Sequence, residues 1–352
     1  MALNFHPYIS PPNRNPEKKT PNFKAMSKKR ALEMIQAPIA EELVQFEKYF
    51  RGAMKSRVML LDKIMQYLVK RKGKQMRPMF VLLCANAAGG ITPSTYRGAA
   101  LIELLHTATL VHDDVVDDAD ERRGFFSINA LWKNKIAVLI GDFLLSKGLL
   151  MSLEHDDFQL LKITSNAVRL MAEGELLQIE KARKLNVDEA VYFEIIRQKT
   201  ASLIASCCEV GAASARPTDA EFIERMRLMG EKIGMAFQIR DDLFDYGTED
   251  VGKPLGIDIK EKKMTLPLIH VLNKSSWAHR RKIINVVRNH NTDKRAVAWV
   301  IEYVRDHGGI AYSEQVMNNF LKEAMEILGG LPESPSKTSL RALVDYSVSR
   351  EK

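Results

Sequence analysis

The chain has 352 residues, of which 46% are hydrophobic and 27% charged, and its formal net charge is +8 at pH 7. This balance is typical of a folded globular protein and excludes disordered and collagen-like chains. The three cysteines, Cys84, Cys207 and Cys208, have the wrong number and spacing for a disulfide framework or a zinc site, so we expect a reducing, cytoplasmic environment.

The first 30 residues differ from the rest of the chain in composition. Five of the 13 prolines fall within residues 1–25, and residues 1–30 hold seven Lys or Arg against one Glu. Because such a segment buries too little apolar surface to offset its ordering entropy, we predict a disordered, basic tail over 1–30 and a single domain over 31–352. The tail lacks the apolar stretch of a secretion signal. The predicted domain is close to neutral, and no basic face interleaved with aromatic residues is recognisable in it, so we expect no nucleic-acid partner.

From residue 31 onwards the apolar residues recur at helical spacing. Steps of three and four residues dominate in 40–68, 99–116, 137–153 and 168–179, and no run alternates convincingly with the period of a strand. These patterns predict an all-α fold. The longest apolar run, 136–145, is too short to cross a bilayer and contains Asp142, so we expect no membrane span.

Two acidic clusters share the pattern DDxxD. In the first, HTATLVHDDVVDD from residue 106 to 118, Asp113 and Asp117 stack on one helical face and Asp114 lies about 100° away. Carboxylates at the C-terminal end of a helix repel one another and are disfavoured by the helix dipole. The cluster therefore needs a positive charge beside it.

The second cluster is FQIRDDLFD, from residue 237 to 245. Helical spacing places one stripe of four side chains there: Gln238, Asp241, Asp242 and Asp245. A single DDxxD is as readily a solvated acidic face, but two copies in apolar helices favour a metal site. Oxygen ligands without His or Cys suit Mg²⁺, which binds a few carboxylates together with substrate phosphates. The similar segment 155–157 lacks the last carboxylate, and we predict a loop there.

Several Lys and Arg residues stand where phosphate groups would need them. They are Lys74, Arg77, Arg122, Arg123, Lys199, Lys253 and Lys263. Each alone is typical of a solvated surface charge, but together with divalent ions they would balance the carboxylates and a diphosphate. His106 lies two helical turns before Asp113 and is either a core histidine or a donor to a phosphate oxygen.

In this order the motifs resemble those of the trans-isoprenyl diphosphate synthase family, the polyprenyl synthetases. The matching elements are GKxxRP at 73–78, DDxxD followed by RRG, the Lys199-Thr200 pair, FQxxDDxxD, and the motifs of Lys253 and Lys263, and they cover nearly the whole chain after residue 30. The resemblance implies an antiparallel helical bundle around a deep central cavity, usually in a homodimer. It also implies a Mg²⁺-dependent prenyltransferase, with three ions per site, that condenses isopentenyl diphosphate with an allylic diphosphate. Peripheral membrane contact for product release is compatible with this reading.

The resemblance assigns roles to the residues at matching positions. The expected magnesium ligands are Asp113, Asp117 and Asp241, supported by Asp114, Asp242 and Asp245. The residues expected to bind isopentenyl diphosphate are Lys74, Arg77, His106 and Arg123. Those expected around the allylic diphosphate are Arg122, Lys199, Gln238, Lys253 and Lys263, with Lys199, Thr200 and Gln238 as the catalytic group. The chain departs from the family pattern at Phe126, where Pro is usual, and at Lys262, where Gly is common.

Product length is the finest expectation that the resemblance supports. In this family bulk one turn before the first DDxxD commonly limits the growing chain, and Ala108 and Thr109 are both small. We therefore predict an all-trans product of about six to nine isoprene units, unless these residues only pack a neighbouring helix and a deeper aromatic such as Phe143 closes the cavity.

Three alternatives remain open at this point. One is a short-chain synthase that makes farnesyl or geranylgeranyl diphosphate. The second is a class I terpene cyclase, which the second DDxxD and the GKxxRP element disfavour. The third is a non-catalytic subunit, which the intact motifs disfavour.

Overall fold

The computed structural model describes residues 28–70, 73–122, 124–185, 188–247 and 255–348. The helices of the first half are α1 (Lys28–Gln36), α2 (Ala40–Ala53), α3 (Met59–Lys70), α4 (Met76–Ala88), α5 (Pro93–Val116), α6 (Ile128–Leu153) and α7 (Phe158–Lys184). Those of the second half are α8 (Glu189–Ile196), α9 (Ser202–Ala215), α10 (Ala220–Phe244), α11 (Ile257–Lys260), α12 (Leu266–Lys274), α13 (Trp277–Asn289), α14 (Lys294–Asp306), α15 (Gly309–Gly329) and α16 (Pro335–Val348).

Three short elements complete this architecture. A 3₁₀ turn (Ala37–Ile39) joins α1 to α2, and a π-helical turn (Arg197–Ala201) joins α8 to α9. The two-residue strands β1 (Glu121–Arg122) and β2 (Phe125–Phe126) form an antiparallel hairpin between α5 and α6. The all-α prediction is confirmed. The predicted tail lies outside the described residues except for 28–30, where α1 begins.

Local sequence explains where the site-bearing helices start and stop. Thr92 forms a capping box with Thr95, and Pro93 occupies the first position of α5, where its fixed φ favours helix and its missing N–H costs nothing. Asp219 caps α10 by accepting a hydrogen bond from the backbone N–H of Phe222. At their C-terminal ends, α5 and α10 both stop at their DDxxD aspartates, with Asp117 and Asp245 at the C-cap positions.

Long helices pack side by side around two hydrophobic clusters. α5 packs along α6, and α10 packs along both α9 and α15. α10 belongs to both clusters, because Met229 and Ile233 lie in the first and Met235 and Ile239 in the second. The end of α10 that carries the second acidic cluster is therefore held rigidly by buried side chains on several sides.

α6 is the one described helix that is long and apolar enough to be a candidate membrane span, where the sequence predicts no span. The helix has 26 residues, and an 18-residue window within it has a mean hydropathy of 1.8, so length and composition alone would let it cross a bilayer. The apolar run 136–145 is shorter than the helix because Lys135 precedes it and Ser146 and Lys147 follow it. Part of α6 is nevertheless packed inside the protein: Gly141 faces His112 and Gly148 faces Leu101 of α5.

Candidate functional site

A cavity of about 410 Å³ opens between α7, α8, α10 and the segment 255–265. Seven of the residues predicted for the site line it: Lys199, Thr200, Gln238, Asp241, Asp242, Asp245 and Lys263. The second acidic cluster and the Lys199-Thr200 pair, which are about forty positions apart in the sequence, therefore face one space. We call this space the main cavity.

The π-helical turn places Lys199 and Thr200 at the wall of the main cavity. A π turn widens the helix by one residue and is frequently found at functional sites. Two glycines let neighbouring helices approach it: a β-carbon on Gly174 of α7 would lie 2.8 Å from the backbone nitrogen of Lys199, and one on Gly234 of α10 would overlap the Cα of Ala201. α7 and α10 therefore pack closely against this turn on two sides.

A chain of hydrogen bonds runs from Thr200 to the second acidic cluster. The Thr200 hydroxyl donates to Oε1 of Gln238 at 2.7 Å, and Nε2 of Gln238 donates to Oδ1 of Asp242 at 2.7 Å. The hydroxyl of Tyr192 donates to the other carboxylate oxygen of Asp242 at 2.6 Å. Asp242 is 7% exposed and Tyr192 is 3% exposed, so the two bonds hold the carboxylate in one orientation away from water.

Asp245 and Asp258 form a second fixed part of the acidic wall. The backbone N–H groups of Ile257 and Asp258 donate to the two oxygens of Asp245 at 2.8 and 3.1 Å. Burial raises the pKa of Asp245, although these backbone donors act in the opposite direction. Asp258 itself lines the cavity, and burial together with the charge of Asp245 raises its pKa to about 6.

The acidic wall is short of positive charge. Burial, and then the nearby charge of Asp258, raises the pKa of Asp242 to about 7. Several carboxylates that disfavour their own ionisation in one cavity, with oxygen ligands only, are a donor set that fits a hard divalent cation such as Mg²⁺. The residues present therefore fit the metal that the sequence predicts.

The two lysines of the main cavity are paired with carboxylates. Nζ of Lys199 forms a salt bridge with Glu175 and lies 3.4 Å from Oε1 of Gln178, both on α7. Nζ of Lys263 forms a salt bridge with Glu261. A diphosphate that binds these lysines would have to exchange with Glu175 and Glu261.

Arg77, His106 and Asp114 line a second cavity, of about 130 Å³. Nη1 of Arg77 lies 3.6 Å from Oε2 of Glu103, which also lines it. The hairpin closes one side through Phe125 and Phe126. We call this space the second cavity.

The two acidic clusters do not converge in this structure. Asp113 and Asp117 are exposed and line neither cavity, whereas Asp114 is buried beside the second. Over the described part of the chain, no three His, Cys, Asp or Glu side chains come close enough to form a ready-made metal site. The carboxylates of the second cluster therefore line the main cavity, whereas the first cluster borders the second cavity through Asp114 alone.

The remaining predicted residues lie at the edges of the site or outside the described residues. Arg123, Lys253 and the side chain of Arg122 lie outside the described residues. Lys74 is exposed, with its Nζ 5.1 Å from the ring centre of Tyr346. Lys262 has a φ of +59°, so the loop keeps the left-handed conformation that the family's glycine adopts easily.

The predicted chain-length pair divides between two surroundings. Thr109 lines a narrow third cavity with His106, which also borders the second cavity. Ala108 is fully buried and lines none of the three cavities, because it shares a helical stripe with Leu104 and His112, which face α6. The structure therefore places Thr109 beside a cavity and Ala108 against the neighbouring helix.

The segment 155–157 is a loop, as predicted. The carboxylate of Asp157 forms a salt bridge with Arg97 and accepts a hydrogen bond from the Ser94 hydroxyl at 2.6 Å. These contacts tie the turn between α6 and α7 to the start of α5, which is a structural role.

Sequence reasoning missed Tyr192 and Asp258. Tyr192 stands seven positions before Lys199, and nothing in its local pattern distinguishes it from a core aromatic. Asp258 stands five positions before Lys263 in GIDIKEKK. An acid so close to a predicted phosphate-binding lysine was the sequence signal that could have identified Asp258 as a residue of the site.

Known proteins are similar to this chain in sequence and in architecture. The polyprenyl synthetase family matches residues 58–304. An all-trans-nonaprenyl-diphosphate synthase (geranyl-diphosphate specific) of Rhodobacter capsulatus is 34% identical over 319 residues, which are 90% of this chain and 97% of the relative. The crystal structure of a decaprenyl diphosphate synthase from Rhodobacter capsulatus is similar with a TM-score of 0.84 at 31% identity, covering 91% of this chain and 100% of that one.

Two further solved structures bear on ligand and product. A polyprenyl synthase from Caulobacter crescentus CB15, solved in complex with calcium and isoprenyl diphosphate, has a TM-score of 0.81 at 31% identity and covers 91% of this chain and 98% of that one. A geranylgeranyl pyrophosphate synthase from Bacteroides thetaiotaomicron is 37% identical, with a TM-score of 0.77, and covers 91% of this chain and 100% of that one. Likeness to known proteins therefore extends across product lengths.

Proposed function

The chain belongs to the polyprenyl synthetase family and is a prenyltransferase that makes a trans-prenyl diphosphate, and from this premise we propose that it condenses isopentenyl diphosphate with an allylic diphosphate into a long-chain product. The observation that carries the proposal is the hydrogen-bond chain Thr200–Gln238–Asp242 at the wall of the main cavity. It fixes a hydroxyl, an amide and a carboxylate beside Lys199, the groups that the resemblance places around an allylic diphosphate.

We place the metal at the two DDxxD motifs. Asp113, Asp117 and Asp241 would hold Mg²⁺, three ions in all, and Asp114, Asp242 and Asp245 would support them. When bound, the ions would neutralise the leaving diphosphate and so lower the barrier to its departure. The second motif is prepared for this before any ion binds, since Asp242 and Asp245 are already fixed by four hydrogen bonds.

The side chains of the main cavity would carry the bond-breaking step. Lys199 and Lys263 would leave their carboxylate partners and bind the allylic diphosphate, which departs with the electrons of the C–O bond. The Thr200 hydroxyl would turn its oxygen toward the allylic cation that remains. The double bond of isopentenyl diphosphate then attacks this cation, and a proton lost from the new unit passes to the departing diphosphate.

Isopentenyl diphosphate would occupy the second cavity. Arg77 and His106 line it, and an Arg fork suits phosphate oxygens. Lys74 and Arg123 complete the predicted group. Arg77 lies 3.6 Å from Glu103, so the substrate would compete with a weak ion pair only.

Product length is proposed from the third cavity. Its lining residues are Ile102, Leu105, His106, Thr109, Thr164, Ala167, Val168, Met171, Leu203 and Ser206, none of them Phe, Tyr or Trp. Phe143 packs against the first hydrophobic cluster and lines none of the three cavities. A growing chain that passes Thr109 would therefore meet flexible aliphatic side chains, which supports a product of about six to nine units.

We further propose that two copies associate through α6. One side of the helix packs on α5, and the other exposes Val138, Leu139, Leu149 and Leu150, each at least 42% exposed. A second copy fits this face better than lipid does, because Asp142 lies within it with a 60% exposed side chain. The three buried, free cysteines agree with the cytoplasmic location that we propose.

Product sizing tests the proposed function. The purified enzyme is incubated with Mg²⁺, farnesyl diphosphate and radiolabelled isopentenyl diphosphate, and the dephosphorylated products are sized by reversed-phase chromatography. We expect products longer than four units. A dominant product of three or four units would refute the long-chain proposal, and hydrocarbon release from the allylic substrate alone would indicate a cyclase. Unchanged turnover in Asp113→Ala would indicate that the motifs are not catalytic.

A further inference from the structure

One surface of the second half of the chain is unusually basic. From residue 274 to 295 the sequence holds seven Lys or Arg and one acid, Asp293. The seven are all exposed and lie on or beside α13: Lys274, Arg280, Arg281, Lys282, Arg288, Lys294 and Arg295. We call them the basic face. The expectation that no basic face with aromatic residues exists outside the tail is wrong, because Trp277 lies within this run of seven basic residues.

The charges of the basic face are not balanced by carboxylates. Across the described ranges, none of its seven residues has a carboxylate oxygen within 4.0 Å, in contrast to Arg51, which pairs with Glu47, and Arg169, which pairs with Glu173. The one acid of the segment, Asp293, caps α14 by accepting hydrogen bonds from the backbone N–H groups of Arg295 and Ala296. Unbalanced positive charge on one side of a protein attracts an anionic partner.

An exposed tryptophan stands at the start of the basic face. Trp277 is 73% exposed, and the guanidinium of Arg281 lies 5.3 Å from the centre of its ring. Helical spacing puts Trp277, Arg281 and Arg288 within about 40° of one another. Trp beside Lys and Arg is the composition of protein segments that sit at the interface between lipid head groups and acyl chains.

The partner we favour is a membrane rather than a nucleic acid. Nucleic acid that binds by stacking places successive bases on several open aromatic rings. In α13 and α14, whose residues are all described, Trp277 is the only exposed Trp, Tyr or Phe, and Nζ of Lys282 lies 3.7 Å from the ring centre of the half-buried Trp299. The basic face also lies beside the active site: Nδ2 of Asn291 donates to the carbonyl of Lys260 in α11 at 2.6 Å, and Asp258 of α11 lines the main cavity. A long-chain product is an amphiphile that has to reach lipid.

We propose that the basic face docks the enzyme on an anionic lipid bilayer, with Trp277 inserted at the head-group level. The reason for docking rests on the proposed function, but the binding itself does not. Each Lys or Arg near an anionic bilayer contributes about fivefold in partitioning, so removing three of them weakens binding about 100-fold.

The test is vesicle co-sedimentation of the full-length protein. The probes are phosphatidylcholine vesicles with and without phosphatidylglycerol. We expect binding to the anionic vesicles only, and an approximately 100-fold loss in the variant with Arg281→Gln, Lys282→Gln and Arg288→Gln. The matched control removes three charges elsewhere, with Arg51→Gln, Arg169→Gln and Lys322→Gln, and should retain vesicle binding. None of the six substituted residues lines the main cavity, so the turnover of both variants with a water-soluble primer should equal that of the wild type.

Two further arms decide between this surface and other sources of binding. Neutralising the tail lysines Lys18, Lys19 and Lys24 in the full chain should leave most vesicle binding intact; loss there, with none in the basic-face variant, overturns the proposal. Vesicles should shift tryptophan emission to the blue, and Trp277→Phe should remove that shift. Equal binding to neutral vesicles also overturns it. So does a basic-face variant that loses binding to a single-stranded oligonucleotide but keeps its binding to anionic vesicles. Short products with vesicle binding retained would refute the proposed function alone.

Discussion

Removing the hydroxyl of Tyr192 tests the hydrogen-bond chain of the main cavity. In Tyr192→Phe, Asp242 loses the 2.6 Å bond to Oδ2 and keeps only the bond from Gln238. A hydrogen bond to a buried charged group contributes about 1.5–3 kcal/mol, and losing one partner leaves the other unsatisfied. If about half of that energy, about 0.75–1.5 kcal/mol, orients Asp242 for the metal site, the Mg²⁺ concentration for half-maximal activity rises about four- to thirteenfold, since about 1.4 kcal/mol corresponds to a factor of ten.

Tyr246→Phe is the matched control. Tyr246 is 2% exposed, and its hydroxyl shares a 2.8 Å hydrogen bond with Thr265 rather than with a carboxylate. It should lower thermal stability by about 1 kcal/mol and leave the Mg²⁺ dependence unchanged. The assay is steady-state turnover against Mg²⁺ concentration, with the melting temperature of each variant measured in parallel. Equal changes of Mg²⁺ dependence in the two variants would refute the reasoning, because burial alone would then explain them.

Three further predictions concern product length, assembly and pH. Thr109→Phe should narrow the third cavity and shorten the product seen by chromatography, whereas Thr109→Ser should not; an unchanged product would contradict the assigned path. Leu139→Glu with Leu150→Glu should convert a dimer to a monomer in size-exclusion chromatography with light scattering, and a monomeric wild type would contradict the α6 interface. Burial raises the pKa of Glu209 to about 7, so ionisation of its carboxyl lowers the stability of the fold as the pH rises from about 4.5 to 7. Allowing for solvent screening, Glu209→Gln should raise the free energy of unfolding by about 1–2 kcal/mol at pH 8 and by less at pH 5. An equal gain at both pH values in melting experiments would contradict this.

Helical periodicity was sufficient to predict the C-terminal end of α5. The spacing of Asp113 and Asp117 depends only on local helix geometry, and the structure places both at the C-terminal end of α5, where the sequence places them. The grouping of Gln238, Asp242 and Asp245 follows from the same rule. Local periodicity therefore predicted that these side chains share one face, and all of them line the main cavity.

Partners that come from distant helices were not predictable in this way. Tyr192 reaches Asp242 across 50 positions, and the π turn at Lys199 depends on how closely Gly174 and Gly234 let α7 and α10 approach. Ala108 and Thr109 are neighbours in sequence but face different surroundings, because successive helical residues point about 100° apart. These features are set by packing, which a single sequence does not display.

Net charge describes this protein poorly, because its charges are sorted in space. The chain after residue 30 is close to neutral, yet five acidic side chains line the main cavity while α13 carries none at all. An electric field depends on where charges lie and not on their sum. A negative cavity attracts divalent cations, and a positive surface beside it attracts anionic lipid. The same near-zero total therefore supports two opposite recognitions on adjacent parts of one molecule, and only substitutions confined to one of them can separate their effects.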